Sequence, residues 1–423
     1  MVDFTFEQYQ KNKHQYQADG ELLLIERKHA FLFYEPGKGK TYPAVAALLQ
    51  VAPKGKVLIL STADAIKDMW YIDIVPQNIL PKDTVLMSFT AAIQDATKKK
   101  LLKIKWDVIL IDESHKIKSH NSQTSKLVFQ LTKNVEYAWG LTGTPRGNID
   151  LDIFCQFHNM NVAEWGNVTY TRFIDTCCDV KKNWGNYGMY TEVLGINHRY
   201  QAGWERNVAM YSQRVCYDND EMPPLKIKPI ILPYVKTDEY KRAEDGILAV
   251  DDHATTLMKL AAITKMHQAA NGYLYYMDKD VRKTHRFGYN KKLDWLQQYI
   301  TDEPITIVYR FEADLEDLQK LIPNSTENIN DFKSGKCKIL LLQCSRCESF
   351  NLQMCSKMVF YTLDYSYIKF KQMLHRIWRQ GQESDTEIYV LLFSKTIEEE
   401  VWFAVENKKK LADLFMSVKE VRL

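Results

Sequence analysis

The sequence predicts an α/β protein of two parallel-sheet lobes with a partly helical insert between them. Three observations carry this. Strand-like apolar runs alternate with helix-like stretches from residue 29 to about 145. The same alternation returns from residue 291 onward. The strand-like runs are apolar throughout rather than at every second position, which suits strands covered on both faces by helices.

Taken in order, "AFLFY", "KVLIL", "TVLMSF", "WDVILID" and "YAWGLTG" read as the strands of the first lobe. "TYPAVAALLQV", "ADAIKDMWYI" and "AAIQDATKKKLLK" read as its helices. Residues 155–225 break the rhythm. They are rich in Trp, Tyr, Asn and Gly without a clean period, so they read as an inserted, partly helical segment with a small hairpin. "DNDEMPPLKIKP", residues 218–229, marks a boundary. Residues 236–275 read as helical. In the second lobe "KKLDWLQQYI" and "EADLEDLQKLI" are helices, and "PITIVYR", "CKILLLQC", "KMVFYTL" and "EIYVLLF" are strands. "TIEEEVWFAVENKKKLADLFM" closes the chain as an amphipathic helix whose Lys408, Lys409 and Lys410 form a solvated face. The expected domains are residues 1–154, 155–228 and 229–423.

The 423 residues suffice for two or three domains at about 100–200 residues each. A hydrophobic share of 46% with 26% charged residues places the chain among ordinary globular proteins. The net charge of +3 permits a polyanionic partner without requiring one. No apolar run approaches the ~18 residues of a membrane span. The start, "MVDFTFEQYQKNKHQ", lacks the order of a signal peptide. A cytoplasmic protein with no membrane partner and reduced cysteines is expected. Cys344 and Cys347 have C-x-x-C spacing, but the outer distances to Cys337 and Cys355 are irregular for zinc.

Three motifs carry chemistry. In "HAFLFYEPGKGKTYPAVAALL" a strand, a glycine loop and a helix follow one another. That is the context of a phosphate-binding loop, in which backbone N–H groups and a helix N-terminus face the phosphate oxygens. Pro36, Gly37, Lys38, Gly39, Lys40 and Thr41 are its candidate ATP-binding residues. Lys40 would reach the outer phosphates, and the Thr41 hydroxyl would hold Mg²⁺. Tyr34 stands where the usual loop has its first glycine. The second motif is "DESH" at the tip of an apolar strand. There Asp112 can hold Mg²⁺, Glu113 can take a proton from the attacking water, and His115 can couple the site to its surroundings. The third is "QMLHRIWRQGQ". On a helix, Arg376 and Arg379 share a face and could stabilise charge on a transferring phosphoryl group, work worth about 10³–10⁵ in rate.

With these residues in order, the chain resembles the Swi/Snf-type ATPases of helicase superfamily two. The resemblance runs over roughly residues 14–415. "HQYQADG" resembles the adenine-reading segment, which implies that Gln17 meets the base. "VLILSTADAIKDMW", with its Trp70, and "DESHKIKSHNSQTSK" resemble the next motifs. "LTGTPRGN", Leu141 to Asn148, resembles the stretch that couples ATP state to nucleic acid, which implies coupling roles for Thr142, Gly143 and Thr144. "FNLQ" and "VFYTLDYSYIKFKQMLHRIWRQGQ", with Gln372, resemble the last motifs, and "TIEEEVW" the closing helix. "CSRCESFNL" lacks the glycines that the family carries before its Asn-Leu pair.

The resemblance implies two RecA-like lobes, ATP and Mg²⁺ as cofactors, and a DNA-translocating ATPase acting on duplex or forked DNA. It implies a polymer track that takes in Ser88, Lys118, Thr142 and Thr362. No accessory module is recognisable, so a minimal motor is expected, similar to those of bacteria or bacteriophages. A strand-separating helicase and a nucleotide-gated scaffold without turnover are the competing readings. The aromatic insert could grip or wedge the polymer.

Overall fold

The computed structural model describes residues 5–145, 150–185, 188–216, 222–250, 253–256, 259–279, 281–346, 351–379 and 381–407. They form two compact units, the first reaching Cys216 and the second beginning at Met222. No described helix is long and apolar enough to cross a membrane.

The first unit is built on eight strands: β1 His29–Tyr34, β2 Val57–Ser61, β3 Thr84–Ser88, β4 Val108–Asp112, β5 Tyr137–Leu141, β6 Cys178–Gly185, β7 Gly188–Ile196 and β8 Ser212–Val215. Six of them make an all-parallel sheet in the order β3-β2-β4-β5-β1-β8. Every residue of β2 and β4 is buried, as continuous apolar runs require. Register holds the ends level: Leu32 stands opposite Leu141, and Leu141 opposite Asp112. The loops after β1, β4 and β5 therefore leave the sheet at one edge, where parallel sheets bind ligands.

Two expected helices are modified. "ADAIKDMWYI" starts as a short α-turn at Ala63–Ala65 and widens to a π-helix over Ile66–Ile74, which turns Trp70 fully inward. "AAIQDATKKKLLK" is split into Phe89–Ala92 and Asp95–Leu101.

The stretch expected as an insert is mostly part of this unit. Its helices Leu151–Asn159, Tyr170–Cys177 and His198–Tyr211 bury Phe154, Phe157, Phe173 and Trp204 in one core with Phe31 of β1. Phe154 and Phe173 stack at 3.8 Å, and Phe31 and Phe157 at 5.2 Å. β8 then joins the sheet beside β1, Ser212 opposite Phe31. Only the antiparallel hairpin β6–β7 stands off the sheet as a separate two-stranded ribbon.

The second unit adds β9 Leu225–Leu232, β10 Ile247–Val250, β11 His253–Thr256, β12 Tyr273–Asp278, β13 Val281–Arg286, β14 Ile305–Tyr309, β15 Ser325–Thr326, β16 Ile339–Gln343, β17 Lys357–Phe360 and β18 Thr386–Phe393. Its sheet is also six-stranded and parallel, in the order β15-β16-β14-β17-β18-β9. β9, read from sequence as the end of the insert, pairs with β18 along all eight of its residues. Residues 236–275 are not one helical region. Two helices, Asp238–Glu244 and Lys259–Ala270, flank the hairpin β10–β11, and β12–β13 forms a second hairpin. Aromatic and β-branched residues in "YLYYMD" and "VRKTHR" favour strands there.

The closing helix is described over Ile397–Glu406; Lys408, Lys409 and Lys410 lie outside the described residues. It covers a buried polar cluster. Lys292 Nζ, fully buried, donates to the Tyr361 carbonyl at 2.9 Å, to Asn271 Oδ1 at 3.2 Å and to Glu398 Oε1 at 2.5 Å. Glu398 Oε2 accepts from the Phe393 amide at 2.8 Å.

Candidate active site

The glycine loop is shaped by backbone conformations that side chains resist. Gly37 has φ 91° and Gly39 φ 69°, in the left-handed region that glycine enters freely. A Cβ on Gly39 would come within 2.7 Å of Gln17 Nε2. Lys38 N donates to the Glu35 carbonyl at 3.1 Å and tightens the turn. Lys40 then stands at the cap of the helix Thr41–Val51, whose Pro43 sits in the first turn, where no intrahelical donor is lost.

Tyr34, at the usual first glycine position, is fully buried and donates from its hydroxyl to the Tyr16 carbonyl at 2.9 Å. A Cβ at Gly20 would collide with that hydroxyl. Gly20 is the compensation for Tyr34, and together they lock the helix Gln15–Arg27 against the strand end. Gln17, on that helix, is buried; its Oε1 accepts from His14 N at 3.0 Å and its amide nitrogen lies over Gly39.

At the tip of β4, Asp112 is 1% exposed. Its Oδ2 accepts from Ser61 Oγ at 2.9 Å and Trp70 Nε1 at 3.0 Å. Burial first, and then the neighbouring Glu113 carboxylate, push its pKa above the ordinary range against the pull of Lys40 and of the Trp70 and Ser61 bonds. A divalent cation would relieve that cost, so the Asp112 carboxylate fits Mg²⁺.

Glu113 follows in a left-handed conformation, φ 55° and ψ 52°, which is strained for a residue with a side chain. Its Oε1 lies 3.9 Å from Lys40 Nζ and its Oε2 3.2 Å from His115 Nδ1. The same His115 nitrogen is 3.1 Å from Thr142 Oγ1. Thr142 N donates to the Leu32 carbonyl at 3.1 Å, and Thr144 N donates to Thr142 Oγ1 at 3.1 Å. A Cβ on Gly143 would approach Pro36 Cδ to 2.7 Å, so the threonine loop packs directly on the phosphate loop. Lys40, Glu113, His115, Thr142 and Pro36 thus form one continuous chain of contacts.

Sequence reasoning missed Gln156. It is fully buried on the helix Leu151–Asn159. Its Oε1 accepts from Ser114 Oγ at 2.9 Å, and its Nε2 donates to the Pro145 carbonyl at 2.6 Å. It clips the acidic motif to the threonine loop. A glutamine set between Phe154, Cys155 and Phe157 in the run "IFCQF" is the signal that could have found it.

Other expected residues are placed differently. Ser88 caps the short helix Phe89–Ala92, accepting from Ala91 N at 3.2 Å. Lys118 Nζ lies 3.9 Å from Asp152 Oδ2. Thr362 is fully buried and accepts from Asn271 Nδ2 at 3.0 Å, so it offers no hydroxyl to a polymer. Gln372 and Arg376 are buried on the helix Tyr367–Ile377, where Arg376 Nε donates to the Gln372 carbonyl at 3.2 Å. The shared helical face of Arg376 and Arg379 is corrected. The helix ends at Ile377, Trp378 is extended at φ −95° and ψ 93°, and Arg379 lies beyond it. Trp378 is drawn off the helix by its Nε1 bond to the Pro223 carbonyl at 2.9 Å. Residues 146–149, 347–350 and Gln380, within three of the quoted motifs, lie outside the described residues.

The SNF2-related domain family matches residues 76–175, which include Asp112 to His115 and Thr142 to Thr144. The chain is 22% identical to the ATP-dependent helicase YqhH of Bacillus subtilis over 447 aligned residues, covering 92% of this chain and 76% of that one. It is also 22% identical to the SWI/SNF-related matrix-associated actin-dependent regulator of chromatin subfamily A-like protein 1 of Drosophila melanogaster, covering 94% of this chain and 55% of the relative. A solved structure of the Sulfolobus solfataricus SWI2/SNF2 ATPase core in complex with dsDNA matches with a TM-score of 0.42 and 15% identity, over 97% of this chain and 94% of that one.

Proposed function

We propose that this chain, a homologue of the SWI/SNF-type helicase-like ATPases, is an ATP-driven motor that moves along or remodels double-stranded DNA. The contact chain from Lys40 through Glu113 and His115 to Thr142 is the observation that carries the reading. It ties the hydrolytic carboxylate to the loop that, in the resembling family, responds to nucleic acid.

In this reading Gln17 meets the base, and the backbone N–H groups of Gly37, Gly39, Lys40 and Thr41 hold the phosphates. Thr41 and Asp112 would hold Mg²⁺, which would supply neutralisation of phosphate charge. Lys40 compensates the outer phosphate charge. Glu113 accepts the proton of the attacking water, and His115 fixes the carboxylate's orientation from its second oxygen. Gly143 against Pro36 lets a shift of the threonine loop move the phosphate loop. Arg376 and Arg379 remain candidates for stabilising charge on the transferring phosphoryl group. Lys118 and Ser88 remain candidates for phosphate contacts along the polymer, and binding to it should be sequence-independent and salt-sensitive. The Bacillus relative, of which the chain covers most, supports a bacterial setting.

The test is phosphate release with no polymer, single-stranded DNA, continuous duplex, forked DNA and RNA. Duplex and fork should stimulate the wild type, and Lys40→Ala should stay at background with all five. Stimulation by RNA alone would defeat the DNA assignment.

A further inference from the structure

The geometry points to the hairpin β6–β7 as a nucleic-acid contact in which Trp184 stacks on an unpaired base at a duplex junction while Lys182, on the same face, meets a flanking phosphate. This deepens the motor reading and rests on its assignment of DNA as the partner.

Directly opposed residues of an antiparallel pair share a face, and so do alternate residues along a strand. One face of the ribbon therefore carries the pairs Val180–Val193, Lys182–Thr191 and Trp184–Met189. At the root of that face Val193 packs against the core of the first unit. Further out the support ends: Trp184 is 83% exposed and Met189 57%. A tryptophan left this open on a ribbon has no fold-stabilising role to explain it.

Charge selects the occupant. The hairpin's two acidic side chains are each engaged by an amide: Asp179 Oδ1 accepts from Asn197 Nδ2 at 2.6 Å, and Glu192 Oε2 from Asn183 Nδ2 at 2.8 Å. Lys181 and Lys182 are exposed and make no ion pair among the described residues. A flat aromatic face with Lys182 on the same side of the ribbon matches a base beside its phosphate, and Lys181 stands on the reverse face opposite Glu192. A two-stranded ribbon offers no concave surface to seat a peptide side chain. Bases inside a continuous duplex already stack on one another, so only an unpaired or terminal base presents a free face.

Placement agrees. The hairpin continues directly from the helix Tyr170–Cys177, whose Tyr170 stacks on His120 at 3.7 Å, five residues beyond His115. The eight-residue helix, about 12 Å long, therefore links the loop that leaves the acidic motif to the root of the ribbon. Its strands of eight and nine residues give it a reach of about 25 Å.

The experiment uses the full chain without nucleotide. One DNA is a fork with 2-aminopurine at its first junction base; the other is a continuous duplex with 2-aminopurine inside. Wild type and Trp184→Phe should change the fork signal, and Trp184→Ala should lose the change. Trp184→Ala should bind the fork about ten-fold more weakly and the continuous duplex equally well. Lys182→Ala should lower the salt slope of fork binding by about one. Trp184 is exposed, so unchanged thermal melting of each variant verifies the fold. If Trp184→Ala matches wild type on the fork, or weakens both DNAs alike, the proposal is overturned and the indole is left to a protein partner. A wild type that gives the junction signal but hydrolyses no ATP on any DNA sinks the motor reading and upholds this contact.

Discussion

Both units bury charge at the C-terminal edge of a six-stranded parallel sheet, and they do so to opposite ends. In the first unit Asp112 is buried beside a second carboxylate, and burial foremost drives its pKa up. Its neighbour Glu113 holds a strained backbone, with Lys40 at 3.9 Å and His115 at 3.2 Å. In the second unit burial alone would raise Glu398, but Lys292 and His267 hold it below the usual carboxylate range. Its lysine bond, its 3.1 Å contact to His267 and its bond from the Phe393 amide satisfy it within the fold. The same residue types thus make an open site in one unit and a closed structural joint in the other. What separates them is how far the chain's own cations offset the burial: Lys40 does not bring Asp112 back to the ordinary range, whereas Lys292 carries Glu398 below it.

The largest expected effect lies in the second unit but outside its closed joint. Arg376→Ala should lower DNA-stimulated phosphate release on the order of 10³-fold or more while leaving the unit's unfolding midpoint within a few degrees of wild type. A small rate effect with large destabilisation would reduce this arginine to a packing residue. The joint should behave in the reverse way. Lys292→Met strands Glu398 without its cation and should cost about 3–5 kcal/mol in urea unfolding of the second unit. Adding Glu398→Leu should recover much of that loss, since a well-packed apolar pair can replace a buried ion pair. Additive losses in the double variant would mean that the two groups do not act as a pair.

Gln156→Ala sharpens the other side of the comparison. It leaves Ser114 and the Pro145 carbonyl without their clip, at about 1–3 kcal/mol of stability. Stimulation by DNA should fall about ten-fold while basal ATP hydrolysis changes little. Equal loss of both rates would make Gln156 a packing residue only.

The gentlest probe is pH. Burial lowers the pKa of His267, so the unfolded chain takes up its proton first, from about pH 6.5 downward. Glu398 is likewise depressed, and its unfolded form protonates from about pH 4.5 downward. In both cases the unfolded state binds more protons, so stability present above these values is lost as pH falls. The second unit should weaken in two stages, and His267→Gln should remove the upper one. Urea midpoints between pH 8 and pH 4 would show it; a flat profile down to pH 5 would contradict the buried neutral histidine.

The open site was legible in sequence because its geometry is local. Gly37 and Gly39 adopt the φ values that only their residue type enters freely, and Asp112 ends a run of apolar residues in the expected strand. What escaped depends on contacts distant in the chain. The aromatic segment showed no period because Phe154, Phe173 and Trp204 reach one core from three short helices. Arg379 was read onto a helix because nothing local announces that Trp378 will leave it to bond the Pro223 carbonyl. Thr362 looked available because its burial is set by Asn271, 91 residues away in sequence. Tyr34 looked like a defect in the phosphate loop until Gly20 was seen to make room for it.

The central claim is that ATP turnover at the open site moves the protein along intact duplex. Displacement of a triplex-forming strand from a nick-free linear duplex measures this without requiring strand separation. The wild type should release the third strand in an ATP-dependent manner, and Lys40→Ala should release none above the rate without protein. ATP hydrolysis at full rate on that same duplex with the third strand still in place would contradict the account.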